Sequence, residues 1–210
     1  MIHICDNFFN DPYKIRSIAF KGKYKCATNY PGVRSHTVPK KVKDEILSYG
    51  HYITKNSSLT INTPSFQSIP QDYDEGIFHK DMDHTYICII YLSSDPPLNS
   101  GTEICDSDHV RGSEIFNTIN PKVTKSRDLF HKDPFNLINR YRYGRIRKKV
   151  NSFYKPNIIV ANKFNRFVVF PAANFHRAQN SFGTSIVNSR MTVVSFLGGK
   201  MGSDNRLYEV

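Results

Sequence analysis

Hydrophobic and polar positions along the chain follow first a helical and then a strand-like period, and the change between them defines the predicted elements. Ile15, Ile18 and Ala19 fall at helical spacing behind Asn10 and Asp11, either of which can cap the first turn, and Pro12 occupies a favoured first-turn position. A second helix is predicted over 39 to about 49, where Val42, Ile46 and Leu47 share a face and Gly50 reads as the stop. The pattern then shortens. Strands are predicted near 58–62, 86–92, 103–106, 157–160, 166–170 and 189–197, rich in β-branched and aromatic residues and bounded by Pro, Gly, Asn or Ser. The stretch 95–101 (DPPLNSG) reads as a loop between two of them. Short strands after N-terminal helices predict a mainly β fold with flanking helices, a sandwich or jelly roll carrying its helices on one side. No repeat, low-complexity tract or composition break divides the chain. Residues 1–210 are therefore expected to form a single domain, with its helices within about 10–50.

Composition narrows the class. A chain of 210 residues, 39% hydrophobic and 22% charged, suits one soluble domain that buries roughly 70% of its unfolded surface. Cys5, Cys26, Cys88 and Cys105 show no CxxC spacing, and residues 1–14 mix Asp, Asn and Lys where a signal peptide needs an apolar run. Reduced thiols and a cytoplasmic location, that of the host cell if the source is viral, are the expectation. The longest apolar stretch, 87–92, is far below the ~20 residues of a spanning helix, which excludes a transmembrane role.

Charge adds a second theme. Lys and Arg number 29 against 18 Asp and Glu, a net of +11, which favours anionic partners. Most of the excess lies in 121–155, where 11 basic residues face only Asp128 and Asp133, a net of +9. Phe130, Phe135, Tyr141, Tyr143, Phe153 and Tyr154 are interleaved with these charges. The segment reads as a basic insertion, either a solvated helix-loop piece whose aromatics pack on the core or a surface for nucleic-acid phosphates and stacked bases.

The candidate chemistry starts from His79-Lys80-Asp81 and a distant His176. On a strand, residues i and i+2 share a face, so His79 and Asp81 can bind one metal side by side while His176 arrives from another strand. Two His and one carboxylate is the set that holds non-haem Fe(II) and leaves positions open for a co-substrate and dioxygen. The triplet alone is weak: about 0.7 His-x-acid triplets are expected by chance, and His131-Lys132-Asp133 repeats the letters. His79 leads into an apolar strand, whereas Asp133 runs into Pro134, which argues against a central strand there. Asp83 and His84 lie close enough to compete for the same role. Beyond His176, Arg190 heads a returning strand and offers a planar fork for a carboxylate, with Thr192 on the same face as a further donor. Tyr91 has the strand parity of His79 and is expected to face inward.

Together, His79-x-Asp81, Tyr91-Leu92, Ser100-Gly101-Thr102, Asn165-Arg166-Phe167-Val168-Val169-Phe170, His176 and Arg190-x-Thr192 resemble the Fe(II)- and 2-oxoglutarate-dependent oxygenases, particularly the prolyl 4-hydroxylase-like branch. Asp6-Asn7-Phe8-Phe9 with Pro12, and the piece Tyr30 through Ser35, look like the N-terminal parts of some small bacterial and viral members. The likeness covers most of the chain and leaves the basic insertion outside. It implies a double-stranded β-helix (cupin-like jelly roll), Fe(II) on His79, Asp81 and His176, and 2-oxoglutarate on Arg190 and Thr192. It further implies a dioxygenase that uses O2 to hydroxylate a protein side chain such as proline, or another macromolecule, releasing succinate and CO2. Arg190 stands where the prolyl hydroxylases usually carry Lys, and Ser100-Gly101 where they carry Gly-Gly, so prolyl specificity is not implied. A non-catalytic jelly-roll binding protein and a nucleic-acid-binding module built on the insertion are the alternatives.

Overall fold

The structure, a computed structural model, describes residues 1–105 and 121–199. The chain runs β1 (His3–Cys5), α1 (Pro12–Phe20), β2 (Lys25–Cys26), β3 (Val33–Ser35), α2 (Lys40–Thr54), β4 (Ile61–Ile69), β5 (Tyr86–Tyr91), β6 (Thr102–Cys105), α3 (Pro121–Lys132), α4 (Leu137–Asn151), β7 (Ile158–Val160), β8 (Phe167–Pro171), β9 (Phe175–Ala178) and β10 (Arg190–Leu197). These strands make two antiparallel sheets. The larger has seven strands in the order β1-β8-β5-β10-β4-β3-β2, and the smaller has three in the order β7-β6-β9. The fold is mainly β with a few helices, as the pattern of short strands predicts.

Alternation along the strands divides the apolar residues between two layers. Cys88 and Ile90 of β5, Phe167 and Val169 of β8, and Met191, Val193 and Leu197 of β10 pack with Ala19, Val42 and Ile46 under the N-terminal helices. Their neighbours Ile87, Ile89, Val168, Phe170, Val194 and Phe196 face the other way and meet Ile104 and Val160 of the smaller sheet. Each such side chain, fully withdrawn from water, contributes about 1.5–3 kcal/mol.

Local chemistry explains the element ends. The Asp11 carboxylate accepts the Lys14 N–H to cap α1, and Asn136 caps α4 by accepting from Ile138 and Asn139. α2 does not stop at Gly50 but continues to Thr54, and Lys55 with φ +55° ends it. Gly50 serves packing: a Cβ there would lie 2.5 Å from Leu197 Cδ1. The strand predicted at 58–62 is displaced to β4, and β1, β2, β3 and β9 are strands the apolar pattern missed. The last residue of the strand predicted at 103–106 lies outside the described residues.

The N-terminus is bound to the β8 side of the large sheet. Arg166 grips Asp6 with two bonds, Nε to Oδ1 at 2.6 Å and Nη2 to Oδ2 at 3.0 Å. Those bonds and one from Lys163 hold the Asp6 carboxyl well below the usual carboxylate range. The Asn165 side chain brackets Phe9 through its backbone N–H and carbonyl. The Asp6–Phe9 and Asn165–Phe170 motifs therefore carry architecture.

The insertion is a helical hairpin, α3 against α4. Phe130 and Tyr143 pack with Ile69 and Tyr73, while Val123 and Val150 pack with Ile77. Those aromatics do pack inward; Phe135 and Tyr141 remain exposed. None of the helices among the described residues is long and apolar enough to cross a membrane.

Candidate metal centre

His79 and His176 meet across an antiparallel bridge in which each backbone N–H donates to the other's carbonyl, at 3.1 and 3.0 Å. The Asp81 N–H donates to Ala172 O at 3.0 Å, which carries the carboxylate to the same place. Ligand atoms of His79, Asp81 and His176 all lie within 4.8 Å of one another. Asp81 Oδ2 is 3.9 Å from His79 Nε2 and 3.4 Å from His176 Nε2. The rings stand 4.2 Å apart at 51°. Among the described residues, neither Asp83 nor His84 joins this group, and the His131 of the second triplet is buried elsewhere, its Nδ1 donating to Thr28 O.

The tautomers follow from the partners. His79 Nδ1 lies 2.9 Å from Ile77 O and His176 Nδ1 lies 3.0 Å from Asn174 O. A carbonyl only accepts, so each Nδ1 carries a proton and each Nε2 faces Asp81. Burial and the neighbouring His176 push the His79 imidazole down to about 4, against the pull of Asp81, and Arg127 on α3 acts in the same downward direction. Burial alone would raise Asp81, but the hydrogen bond to His176 and the charges of His79, His176 and Arg34 leave its carboxyl well below the ordinary range. Two imidazole Nε2 atoms and an ionised carboxylate thus converge on one spot. A cation is the chemically consistent occupant.

Arg190 and Thr192 sit on β10, on the face turned toward the smaller sheet, with Thr192 opposite Tyr91. Arg190 is buried; its Nε donates to Ser100 O at 2.9 Å and its Nη2 to Gly101 O at 3.2 Å and Thr102 Oγ1 at 3.4 Å. A Cβ on Gly101 would fall 1.9 Å from Val160 O, so only glycine lets this carbonyl reach the guanidinium. Among the described residues no carboxylate pairs with Arg190, and burial pulls its guanidinium below the usual value. The Thr192 hydroxyl is buried with no hydrogen-bond partner among them. A buried cation without an anion beside an unused hydroxyl is what an absent dicarboxylic acid would complete. Tyr91 does face inward, its hydroxyl 2.6 Å from Thr102 Oγ1 and its ring under Arg190.

β4 supplies lining residues that the sequence reading passed over. Ser65 and Gln67 share the inward face; the Ser65 hydroxyl is also without a partner among the described residues, and Gln67 accepts from Arg34 Nη2 at 3.3 Å. Arg34 lies 4.1 Å over the Tyr30 ring. The available signal was alternation: Ser65 and Gln67 flank an apolar Phe66.

No family model and no curated protein matches this sequence. Solved structures do. HygX from Streptomyces hygroscopicus, crystallised with nickel and 2-oxoglutarate, superimposes with a TM-score of 0.57 at 14% identity over 95% of this chain and 83% of its own. SnoK, an α-ketoglutarate-dependent carbocyclase of nogalamycin biosynthesis, gives 0.59 at 12% over 98% and 84%. A prolyl hydroxylase from Trichoplax adhaerens, solved with a hypoxia-inducible-factor peptide, gives 0.52 at 10% over 95% and 84%. The chain has the fold of the Fe(II)/2-oxoglutarate oxygenases. Within that oxygenase fold, the cluster of His79, Asp81 and His176 and the pair Arg190 and Thr192 occupy the interior between the two sheets and its rim.

Proposed function

We propose that this chain is a single-domain Fe(II)- and 2-oxoglutarate-dependent dioxygenase whose two sheets form a double-stranded β-helix. The observation that carries the reading is the convergence of His79 Nε2, His176 Nε2 and an Asp81 oxygen on one point. His79, Asp81 and His176 hold the metal; Arg190 and Thr192 hold the far carboxylate of 2-oxoglutarate. When bound, Fe(II) supplies the redox centre at which O2 and 2-oxoglutarate are converted to succinate and CO2 while a substrate C–H is hydroxylated.

The protein's own share is geometric and electrostatic. The carbonyls of Ile77 and Asn174 fix both imidazole orientations through Nδ1, and the mutual backbone bonds of His79 and His176 fix their separation. The Ser100 and Gly101 carbonyls hold the Arg190 fork so that it meets a carboxylate without first reorganising. Ile87, Ile89, Val168, Phe170, Val194 and Phe196 keep water from the interior behind it. Four free thiols suit a reducing compartment, and we place the enzyme in the cytoplasm.

Calorimetry under argon tests the reading in two steps. Fe(II), or Ni(II) as a redox-silent substitute, should bind the wild type one to one, and 2-oxoglutarate should bind only after the metal. Asp81→Ala should weaken metal binding at least about 100-fold while leaving the melting temperature near that of the metal-free wild type. Metal binding that survives Asp81→Ala and His176→Ala would overturn the assignment, as would failure of the loaded protein to form succinate from 2-oxoglutarate.

A further inference from the structure

The α3–α4 hairpin carries cations on both of its faces. On the inner face the cations are matched: Arg140 pairs with Asp74 at 3.1 Å, and Arg147 with Asp74 at 3.3 Å and Glu75 at 3.8 Å. Arg127 pairs with Asp128 at 2.8 Å on α3 itself. On the outer face the helices enclose a groove of about 520 Å³ lined by Lys122, Lys125, Arg142, Arg145, Lys149 and Tyr141, with no acidic side chain in its wall among the described residues. Spacing produces this. Lys122 and Lys125 fall at i and i+3 on α3, and Arg142, Arg145 and Lys149 at i, i+3 and i+7 on α4, so each helix turns one basic stripe toward the other over roughly 10 Å of axis.

We propose that this groove is a docking surface for single-stranded nucleic acid. The charge supplies the backbone component, since phosphates are neutralised by lysines and arginines without regard to sequence. Tyr141 supplies the second component: its ring is 66% exposed at the groove, with the Arg145 guanidinium 5.9 Å from its centroid, a platform on which a base stacks. A stacked base must be unpaired, which selects a single strand over a duplex. An acidic protein segment would satisfy the cations but leave the aromatic platform unused. This proposal stands apart from the oxygenase reading, because none of the groove residues touches the metal centre.

The test measures anisotropy of a labelled oligothymidylate of about 20 nucleotides as salt is raised, with the full chain. Single-strand contacts give a log–log slope of about −0.7 per phosphate neutralised, so five groove cations limit it to about −3.5. The variant Arg142→Ser/Arg145→Ser/Lys149→Ser should flatten the slope by about 2 units on the same basis, whereas Lys14→Ser/Lys40→Ser/Lys41→Ser, which removes equally exposed charges elsewhere, should leave it unchanged. Tyr141→Ala should weaken binding about fivefold or more, with Tyr141→Phe retaining it. All substituted side chains are exposed, so the melting temperatures should match. A wild-type slope in the groove variant would sink the proposal. So would a Tyr141→Ala protein that binds normally while heparin, which has charge but no bases, competes as well as the oligonucleotide.

Discussion

At Asp81 a carboxylate oxygen lies 3.4 Å from His176 Nε2 and 3.9 Å from His79 Nε2. The three ligand atoms serve one site, so each member of the cluster is useful only with the others. His79→Ala and His176→Ala should each abolish succinate formation, with any remaining activity below about 1%. Arg190 makes a different prediction. Arg190→Lys keeps a positive charge but loses the planar fork that Ser100 and Gly101 hold, so KM for 2-oxoglutarate should rise at least about tenfold with a smaller change in metal affinity, read by steady-state kinetics and calorimetry respectively. Thr192→Val removes a buried hydroxyl that has no partner among the described residues. The metal-free protein should be as stable or up to about 1 kcal/mol more stable in urea, while 2-oxoglutarate binds more weakly. A fall in stability would show that the hydroxyl is structurally satisfied.

One element up, the hairpin braces the segment between β4 and β5 that carries His79. Asn151 on α4 donates to Gly76 O and accepts from the Phe78 N–H. Arg147 reaches Asp74 and Glu75, Glu75 in turn accepts from Arg177 beside His176, and Arg177 also grips Glu103 at 2.6 Å. Arg147→Met should cost about 2 kcal/mol by urea unfolding, less than a fully buried pair because its acidic partners are partly solvated. His131 anchors the same hairpin to the Thr28 carbonyl, and burial, the strongest influence on it, pushes its imidazole from 6.5 down to about 4. The folded state therefore favours the neutral ring. That contribution is complete above about pH 6.5 and is lost as pH falls toward 4, by up to about 3 kcal/mol. His131→Gln should flatten the loss of melting temperature across that window; in the metal-free protein His79 titrates in the same direction, so the comparison belongs in metal-loaded protein. These elements also show why some of the fold was illegible. β4 was read at 58–62 and not over its full length because Pro64 interrupts it and its inward face is polar where it lines the site. α2 was cut short at Gly50, since a glycine placed for close packing against Leu197 looks in sequence like one placed to end a helix. The hairpin's inward aromatics and outward charge both follow the insertion's composition, but only the acids at 72–75 determine which cations turn inward.

Across the whole molecule, the sandwich of short antiparallel strands was legible because its central strands, β5, β8 and β10, are long apolar runs buried on both faces. The candidate ligands were legible from spacing: His79 and Asp81 were read as one strand face, although the chain there forms only an isolated bridge from His79 to His176, and His176 and Arg190 flank the connection between two strands. What sequence could not supply was that His176 and Arg190 belong to different sheets, so that they face each other across an interior and do not lie side by side in a hairpin. The short first strand shows the same dependence on distant partners. Among the described residues β1 pairs only with β8, from His3 opposite Val169 to Cys5 opposite Phe167. Stripping residues 1–9 would uncover a row of unpaired amides and carbonyls along an apolar strand, an invitation to other chains to add themselves. Trimmed protein should accordingly self-associate in light scattering at concentrations where the intact chain stays monodisperse, making those opening residues a guard against aggregation.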